Sequence, residues 1–339
     1  MKSLILPPLS ELYGAITRVR SSLYDRGTFR TARLDRPVIS VGNITTGGTG
    51  KTPLVEWIAR AMSAHGKRVC ILTRGYGRRN PERRVIVSDG HSMLSNPFDA
   101  GDEPFLLAKN LIGSAAVISD IDRVAAGQGA IEDLKTDCFI LDDGFQHLRL
   151  ARDLDIVTID ATNPWGGGKL LPYGRLRESV SALRRADCLV ITRADQVEEV
   201  NGLATELEEL SGDRPIFISR MRTRRVSSLK DSSEVEKNTR IAAFCAVGNP
   251  ESFFRQVQEA KFDVASKTAF LDHHVYSRKD LESIEKSARD AGATGLITTA
   301  KDAVKLSSHS FTLPCHVLEV EVRIDNDSEF KRMIQGVVN

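Results

Sequence analysis

A chain of 339 residues suits roughly two domains, each long enough to bury its own core. Lys+Arg 47 against Asp+Glu 45 is nearly balanced, which argues against a nucleic-acid-binding field over the whole chain. The five cysteines are widely separated and form no Cys-x-x-Cys pair, so the sequence suggests neither zinc nor a disulfide framework, only buried thiols in a reducing cytosol.

The charge is unevenly spread. Residues 1–36 hold seven basic side chains and three acids, a net of +4 that leaves the remainder at −2. Leu12, Ala15, Ile16, Val19 and Leu23 recur at helical spacing between Ser10 and Tyr24. Arg18 and Arg20 flank that stripe, and Arg26, Arg30 and Arg33 follow it. A short apolar face with basic neighbours suits an anionic membrane surface, and equally an ordinary helix packed on the protein body. No apolar run approaches the roughly 20 residues of a spanning helix. Pro7 and Pro8 interrupt the first apolar run, so no cleavable signal peptide is expected.

Val38 to Val41 reads as a buried strand. It breaks into a loop from Gly42 to Gly50, with a helix opening at Lys51-Thr52-Pro53. Strand, glycine-rich loop, Gly-Lys-Thr and helix make a phosphate-binding loop. Glycines let backbone N–H groups turn inward, and the helix start adds free donors and a positive dipole end. Lys51 reaches the outer phosphates and the Thr52 hydroxyl can ligate Mg²⁺. Thr45 stands where the usual spacing has its first glycine, so the glycines Gly47, Gly48 and Gly50 crowd against the lysine.

A helix to Gly66 and a strand Arg68 to Thr73 follow, the strand running into Arg74-Gly75-Tyr76-Gly77-Arg78-Arg79, a turn that either faces an anion or is plain. Arg84 to Ser88 is a strand, and Gly101-Asp102-Glu103-Pro104 opens a helix at which Asp102 fits an N-cap. Ala115 to Ser119 is a strand, with a helix from Asp122 containing Arg123. The apolar strand Cys138 to Leu141 ends in Asp142-Asp143, which is how phosphate-loop proteins place a carboxylate beside Mg²⁺; Gly144-Phe145-Gln146-His147 continues it. Strands Asp155 to Asp160 and Cys188 to Thr192 follow, the latter ending in Thr192-Arg193-Ala194-Asp195, an echo of the guanine-reading Asn/Thr-Lys-x-Asp motif. The polar stretch Met221 to Arg240 reads as a linker, after which α/β alternation resumes to the end without a second phosphate loop. Such regular alternation predicts a mainly parallel sheet with helices on both faces and a ligand site at the carboxyl ends of its strands.

Taken in order, these segments resemble the tetraacyldisaccharide 4′-kinases (lipid A 4′-kinases). The resemblance spans essentially the whole chain, from Leu12-Tyr13-Gly14 through Val41 to Pro53, Arg74 to Gly77, Gly101 to Pro104, Asp142 to His147 and Leu171 to Glu178. It continues through Phe244 to Pro250, Asp272-His273-His274 and Lys301 to Leu306. Thr45 is shared with that family. Arg175, where the family usually has proline, and Ala300, where it usually has glutamate, are departures outside the phosphate loop.

The resemblance implies a phosphate-loop kinase fold: an N-terminal amphipathic membrane-associating segment (1–36), a nucleotide-binding kinase domain (37–220), a linker (221–240) and a smaller C-terminal α/β domain (241–339). It implies transfer from ATP, with Mg²⁺, to the 4′-hydroxyl of a tetraacylated disaccharide 1-phosphate. It also implies a monotopic enzyme on the cytoplasmic face of the inner membrane, with a lipid substrate and neither nucleic acid nor an obligate protein partner. Gly47, Gly48, Thr49, Gly50, Lys51 and Thr52 are then expected at the phosphates, with Asp142, Asp143 and Thr52 at the metal. Asp102 would be the base for the sugar hydroxyl, supported by His273, with Lys51 the third catalytic residue. His147 joins the nucleotide set, and Arg74, Tyr76, Glu103, Arg123, Gln146 and Glu178 the substrate set. The alternatives are a phosphate-loop kinase of a soluble molecule, or a nucleotide switch supported by Thr192 to Asp195.

Overall fold

The computed structural model describes residues 2–231, 233, 235, 239–306 and 309–338, with side chains from residue 6 onward. Helix α1 (Lys2–Asp25) is followed by β1 (Val38–Asn43), α2 (Lys51–Ala64), β2 (Val69–Thr73) and β3 (Val85–Ser88). Next come α3 (Pro97–Ala100), α4 (Asp102–Asn110), β4 (Ala115–Ser119), α5 (Arg123–Asp133), β5 (Cys138–Asp142) and β6 (Leu154–Asp160). Strand β7 (Cys188–Thr192), α6 (Asn201–Ser211) and β8 (Ile216–Ser228) complete the first two thirds. The remainder is β9 (Arg240–Cys245), α7 (Pro250–Glu259), β10 (Asp263–Ala269), α8 (Arg278–Asp290), β11 (Gly295–Thr299), α9 (Ala300–Leu306), β12 (Cys315–Ile324) and α10 (Asp327–Gly336).

Among the described residues twelve strands form one sheet, ordered β10-β9-β11-β12-β8-β7-β6-β1-β5-β2-β4-β3. The expected parallel pairing holds through most of it; β3 against β4 and β12 against β8 are antiparallel. Strand alternation sends neighbouring side chains to opposite faces. Ile39, Val41, Ile71 and Ile140 therefore pack with Leu54 and Ile58 of α2 and Leu107 of α4. Val38, Leu72, Phe139 and Leu141 pack on the other face with Val124 and Ala130 of α5.

Two features differ from the sequence expectation. The first eight residues of the expected linker are strand, because β8 joins the two halves: Ile216 to Ile218 pair in parallel with β7, and Ser219 to Ser228 pair antiparallel with β12. Its charged residues (Arg220, Arg222, Arg225) obscure the alternation, although Phe217, Ser219 and Met221 form a regular buried series on one face. Part of the remaining linker lies outside the described residues. The last helix does not stay with the second lobe: Phe330 of α10 packs against Trp57 and Phe217, with ring centroids 5.4 and 4.8 Å apart. A smaller difference concerns α1, which runs from Lys2 through Pro7 and Pro8 and does not wait until Ser10 to begin.

The second lobe stacks α7 and α8 on opposite faces of β9, β10 and β11, with Phe254 and Val257 on one side and Leu281 and Ile284 on the other. All five cysteines are free and buried, and burial raises each thiol far above the range in which it would react.

Candidate active site

The phosphate loop leaves β1 and turns into α2 through Gly47 (φ 111°) and Gly50 (φ 77°), conformations that a side chain would strain. No side chain caps the start of α2, so its first N–H groups face the cleft uncommitted. The loop is braced from behind. Asn43 Nδ2 donates to Thr49 Oγ1 at 2.9 Å, and Thr192 Oγ1 donates to the Thr49 carbonyl at 2.8 Å. The Thr49 side chain is thereby committed to the frame, and this residue can offer phosphate only its backbone.

Lys51 Nζ lies 3.4 Å from Asp143 Oδ1, and Arg177 Nη1 lies 2.7 Å from Asp143 Oδ2. Burial works against the charge on Asp143, but these two cations outweigh it and hold the carboxyl well below its usual range. Asp142, one residue earlier, behaves in the opposite way. Burial pushes it up to about 6, and the nearby charges of Glu103 and Asp143 add to that; Thr73 Oγ1 donates to it at 3.1 Å. The two neighbouring carboxylates are thus held in opposite directions, Asp143 by its paired cations and Asp142 by its burial.

A cleft of about 290 Å³ opens above this loop. Its first wall includes Thr73, Arg74, Tyr76, Glu103, Asp142, Asp143 and Arg177; the second lobe supplies Gly248, Asp272, His273 and Lys301. Arg74 Nη1 donates to the Tyr76 hydroxyl at 3.3 Å, placing both at the mouth. The Gly248 turn approaches the loop so closely that a Cβ there would lie 2.5 Å from the Gly48 nitrogen.

Asp102 is the first residue of α4, not its cap: the flanking position is Gly101 (φ 91°), and no side chain caps this helix. The Asp102 carboxylate instead meets the second lobe. Its Oδ2 is 3.1 Å from Lys305 Nζ and 3.8 Å from His273 Nδ1. Burial raises its affinity for a proton, and these two groups more than reverse that, so Asp102 sits below the usual carboxylate range. His273 adopts a positive φ of 63° on a turn, a strained conformation of the kind found where a side chain must be aimed.

Asp102 is not part of the cleft lining, and Arg123, Gln146, His147 and Glu178 also lie outside it. Arg123 Nη1 donates to His147 Nδ1 at 3.2 Å behind the Asp142 carbonyl. Burial first, and Arg123 second, press the His147 ring down to about 3, so it stays neutral. Gln146 and Glu178 belong to a chain of bonds running away from the site. Arg177 Nη1 donates to Gln146 Oε1 at 3.3 Å, Gln146 Nε2 to Glu178 Oε1 at 3.0 Å, and Arg185 Nη1 to Glu178 at 2.8 Å and to Ser21 Oγ on α1 at 3.1 Å. The chain connects the Lys51–Asp143 pair to the N-terminal helix.

Sequence reasoning passed over Arg177, Lys301 and Lys305 as site residues. The two lysines are four apart, a spacing that puts both on one face of a helix. The Thr192 to Asp195 tetrad reads no base here. Arg193 is buried in an ion pair with Asp160, and Asp195 Oδ1 accepts from the Met221 N–H at 2.6 Å.

A family model described as tetraacyldisaccharide-1-P 4′-kinase matches residues 2–339. A tetraacyldisaccharide 4′-kinase of Syntrophus aciditrophicus is 39% identical over 98% of this chain and 92% of its own. That of Geobacter sulfurreducens is 41% identical over 92% and 87%. Among solved structures, LpxK from Aquifex aeolicus, crystallised in complex with ATP, covers 100% of both chains at 33% identity with a TM-score of 0.79.

Proposed function

The chain belongs to the tetraacyldisaccharide 4′-kinase family, and from that membership and the chemistry of the cleft we propose that it moves the γ-phosphate of ATP to the 4′-hydroxyl of a tetraacyldisaccharide 1-phosphate in lipid A biosynthesis. The observation that carries the reading is that Lys51 and the uncapped α2 start line one cleft with His273, whose Nδ1 faces Asp102 at 3.8 Å. Phosphoryl transfer passes through a loose transition state that needs alignment and charge neutralisation more than covalent help. The backbone from Gly47 to Thr52 holds the phosphates, and Lys51 leaves Asp143 to meet the charge of the transferring group. Asp102 orients the sugar hydroxyl and accepts its proton as the new bond forms; its low basicity makes positioning its larger contribution. Arg74 and Tyr76, at the mouth, meet the incoming lipid.

The donor set fits Mg²⁺. That ion prefers oxygen ligands and is usually held by one or two carboxylates together with substrate phosphates. Thr52 offers a hydroxyl at the helix start, and Asp142 is a buried carboxyl whose raised proton affinity marks the need for a cation. Asp143, already paired with Lys51 and Arg177, fits the outer layer around the ion better than the inner one. Held by Thr52 and Asp142, the ion would offset the negative charge of the phosphates.

The N-terminal helix supplies the membrane contact. One side is docked: Ser10 Oγ donates to the Leu170 carbonyl at 2.7 Å and Arg20 Nη1 to the Gln146 carbonyl at 3.1 Å. The other exposes Leu12 (57%), Ile16 (57%) and Val19 (59%). None of the described helices is long and apolar enough to cross a membrane, so contact of this kind is interfacial. Changing the three exposed residues to serine leaves the docked side intact and removes co-sedimentation with anionic vesicles; undiminished binding places the contact elsewhere.

The kinase reading is tested by following radiolabel from γ-labelled ATP into purified tetraacyldisaccharide 1-phosphate in detergent micelles, and locating it at the 4′ position. Equal transfer to soluble sugars supports the soluble-substrate alternative. ATP hydrolysis indifferent to any acceptor removes both.

A further inference from the structure

The region least explained by phosphate transfer is α9, a seven-residue helix that follows β11 without a loop and carries two lysines across the cleft onto α4. Both ammonium groups are largely withdrawn from water, with side chains 14% (Lys301) and 10% (Lys305) exposed. Lys301 Nζ lies 2.8 Å from Glu103 Oε1, 3.2 Å from Asp272 Oδ1 and 3.3 Å from His273 Nε2. Lys305 Nζ lies 3.1 Å from Asp102 Oδ2 and donates to the His274 carbonyl at 3.1 Å.

These contacts decide how the Asp102–His273 pair is wired. An ammonium has three protons and no lone pair, so it can only donate. Lys301 uses its three on Glu103, Asp272 and the His273 ring. Nε2 of His273 is then the acceptor, and the neutral ring keeps its proton on Nδ1, the nitrogen that faces Asp102 at 3.8 Å. The tautomer of a working histidine is generally set by the bond its other nitrogen makes. Lys305 acts on the other partner. It stands closer to the Asp102 oxygen than His273 does, favours the ionised carboxylate, and fastens the His274 carbonyl, so the turn bearing His273 cannot drift from α4.

We propose that Lys301 and Lys305 are positioning residues for the transfer: Lys301 sets the Nδ1–H tautomer of His273, and Lys305 holds Asp102 ionised and aligned with that turn. The assignment rests on the kinase reading for its consequence in turnover, but the tautomer itself is a property of the resting protein. Three carboxylates (Asp102, Glu103, Asp272) surround two lysines and one imidazole, and each lysine bridges the lobes. Closure of the cleft and preparation of the base are therefore one event: when the lobes separate, Asp102 loses Lys305 and His273 together, while Glu103 loses Lys301.

The test joins a spectroscopic reading with kinetics. In protein labelled with ¹⁵N-histidine, the His273 ring, assigned through His273→Ala, is expected as the Nδ1–H tautomer, changing to a mixture or to Nε2–H in Lys301→Met. An unchanged tautomer in Lys301→Met overturns the assignment for Lys301, whatever the enzyme turns over. In the lipid transfer assay, Lys301→Met and Lys305→Met are each expected to lower kcat about 10–100-fold, the scale of a misplaced catalytic group, with KM for ATP within about twofold. Lys301→Met placed on His273→Ala, and Lys305→Met on Asp102→Asn, should add almost nothing, because a residue that acts through another has no effect once that partner is gone. Losses that multiply instead identify the lysines as structural ties only. Lys301→Arg and Lys305→Arg, which keep charge and donors, cover the case in which a methionine variant does not fold; they should recover part of the rate. Lys286→Met, on the exposed face of α8, is the control and should match wild type. If wild type itself moves no phosphate to the lipid, the kinase reading fails while the tautomer measurement stands.

Discussion

The two lobes supply the site in different ways. The first builds its part from contiguous sequence: β1, the glycine loop and the start of α2 fall within Val38 to Ala64, and the packing of Leu54 and Ile58 on Ile39 and Val41 fixes them as one unit. The second contributes turn tips and one face of α9, brought to the cleft by the pairing of β8 with β12. Phosphate binding is thus a local property of the chain, and alignment of the base is a property of closure. Damage to the first should remove chemistry outright; damage to the second should misalign it.

The sharpest test of that division is Lys51→Ala. Lys51 is a charge supplied at the transition state and packs in no core, so turnover should fall by at least about 10³-fold with an unchanged circular dichroism spectrum. Near-wild-type turnover would end the comparison, since the first lobe would then not carry the chemistry. Asp102→Ala should follow, lowering kcat by about 10²–10⁴-fold with ATP affinity little altered. His273→Ala should lower kcat as well, and the double variant should fall well short of the product. His274 stacks on Phe270 and bonds to Asp280 at 3.1 Å, away from Asp102, so His274→Ala should be the milder change. Fully multiplicative losses for Asp102 and His273 would leave Asp102 acting alone.

Closure itself is probed at Gly248. A side chain there meets the backbone of Gly47 and Gly48, at 3.0 and 2.5 Å for the Cβ alone. Gly248→Val should hold the lobes apart and lower kcat/KM about 10–100-fold, while the melting temperature stays near wild type because the contact joins two lobes with separate cores. Wild-type kinetics would mean that the turn yields easily and that closure at this point is not required.

What could be read beforehand follows the same division. The loop, Asp142-Asp143 and the parallel alternation are written in local pattern: apolar runs of strand length, glycine punctuation and acids at a strand's end. Asp102 and His273 have no local signal, being one carboxylate at a helix start and one histidine in a turn; only the family resemblance joined them. Strand β8 was hidden because its outward arginines mask its alternation, and the α10 docking on Trp57 was hidden because the contact spans the chain. Gln146 and Glu178 were read as substrate contacts from their motifs, whereas their side chains pair with each other and with Arg177 and Arg185 on the way to α1. Neither motif nor spacing distinguishes a group that faces a cleft from one that stands behind it.

The smallest expected effect separates two adjacent residues of the first lobe, and its sign is the informative part. Asp142 has its proton affinity raised to about 6 in the fold, against about 3.9 in an unfolded chain. Below about pH 4 both states hold the proton and no penalty exists. As pH rises toward 6 the unfolded chain releases its proton first, so stability is lost, and the loss is complete above 6. Two pH units correspond to about 3 kcal/mol. Asn at this position keeps an acceptor for Thr73 Oγ1 and has no charge to bury. Asp142→Asn, measured by thermal melting without nucleotide or divalent cation, should therefore be more stable than wild type by about 1–3 kcal/mol at pH 8, with the difference vanishing near pH 4. Asp143 predicts the reverse. Its carboxyl is held low by Lys51 and Arg177, so its contribution is present above the unfolded value and lost as pH falls. Asp143→Asn should destabilise at pH 8 and converge with wild type in acid, because it leaves two cations without their shared partner. Opposite signs at pH 8 are the mark of a lobe prepared to receive a cation at one carboxylate and a phosphate-bound lysine beside the other. Equal signs would mean that the two acids share one charge, and that the site is not divided between them.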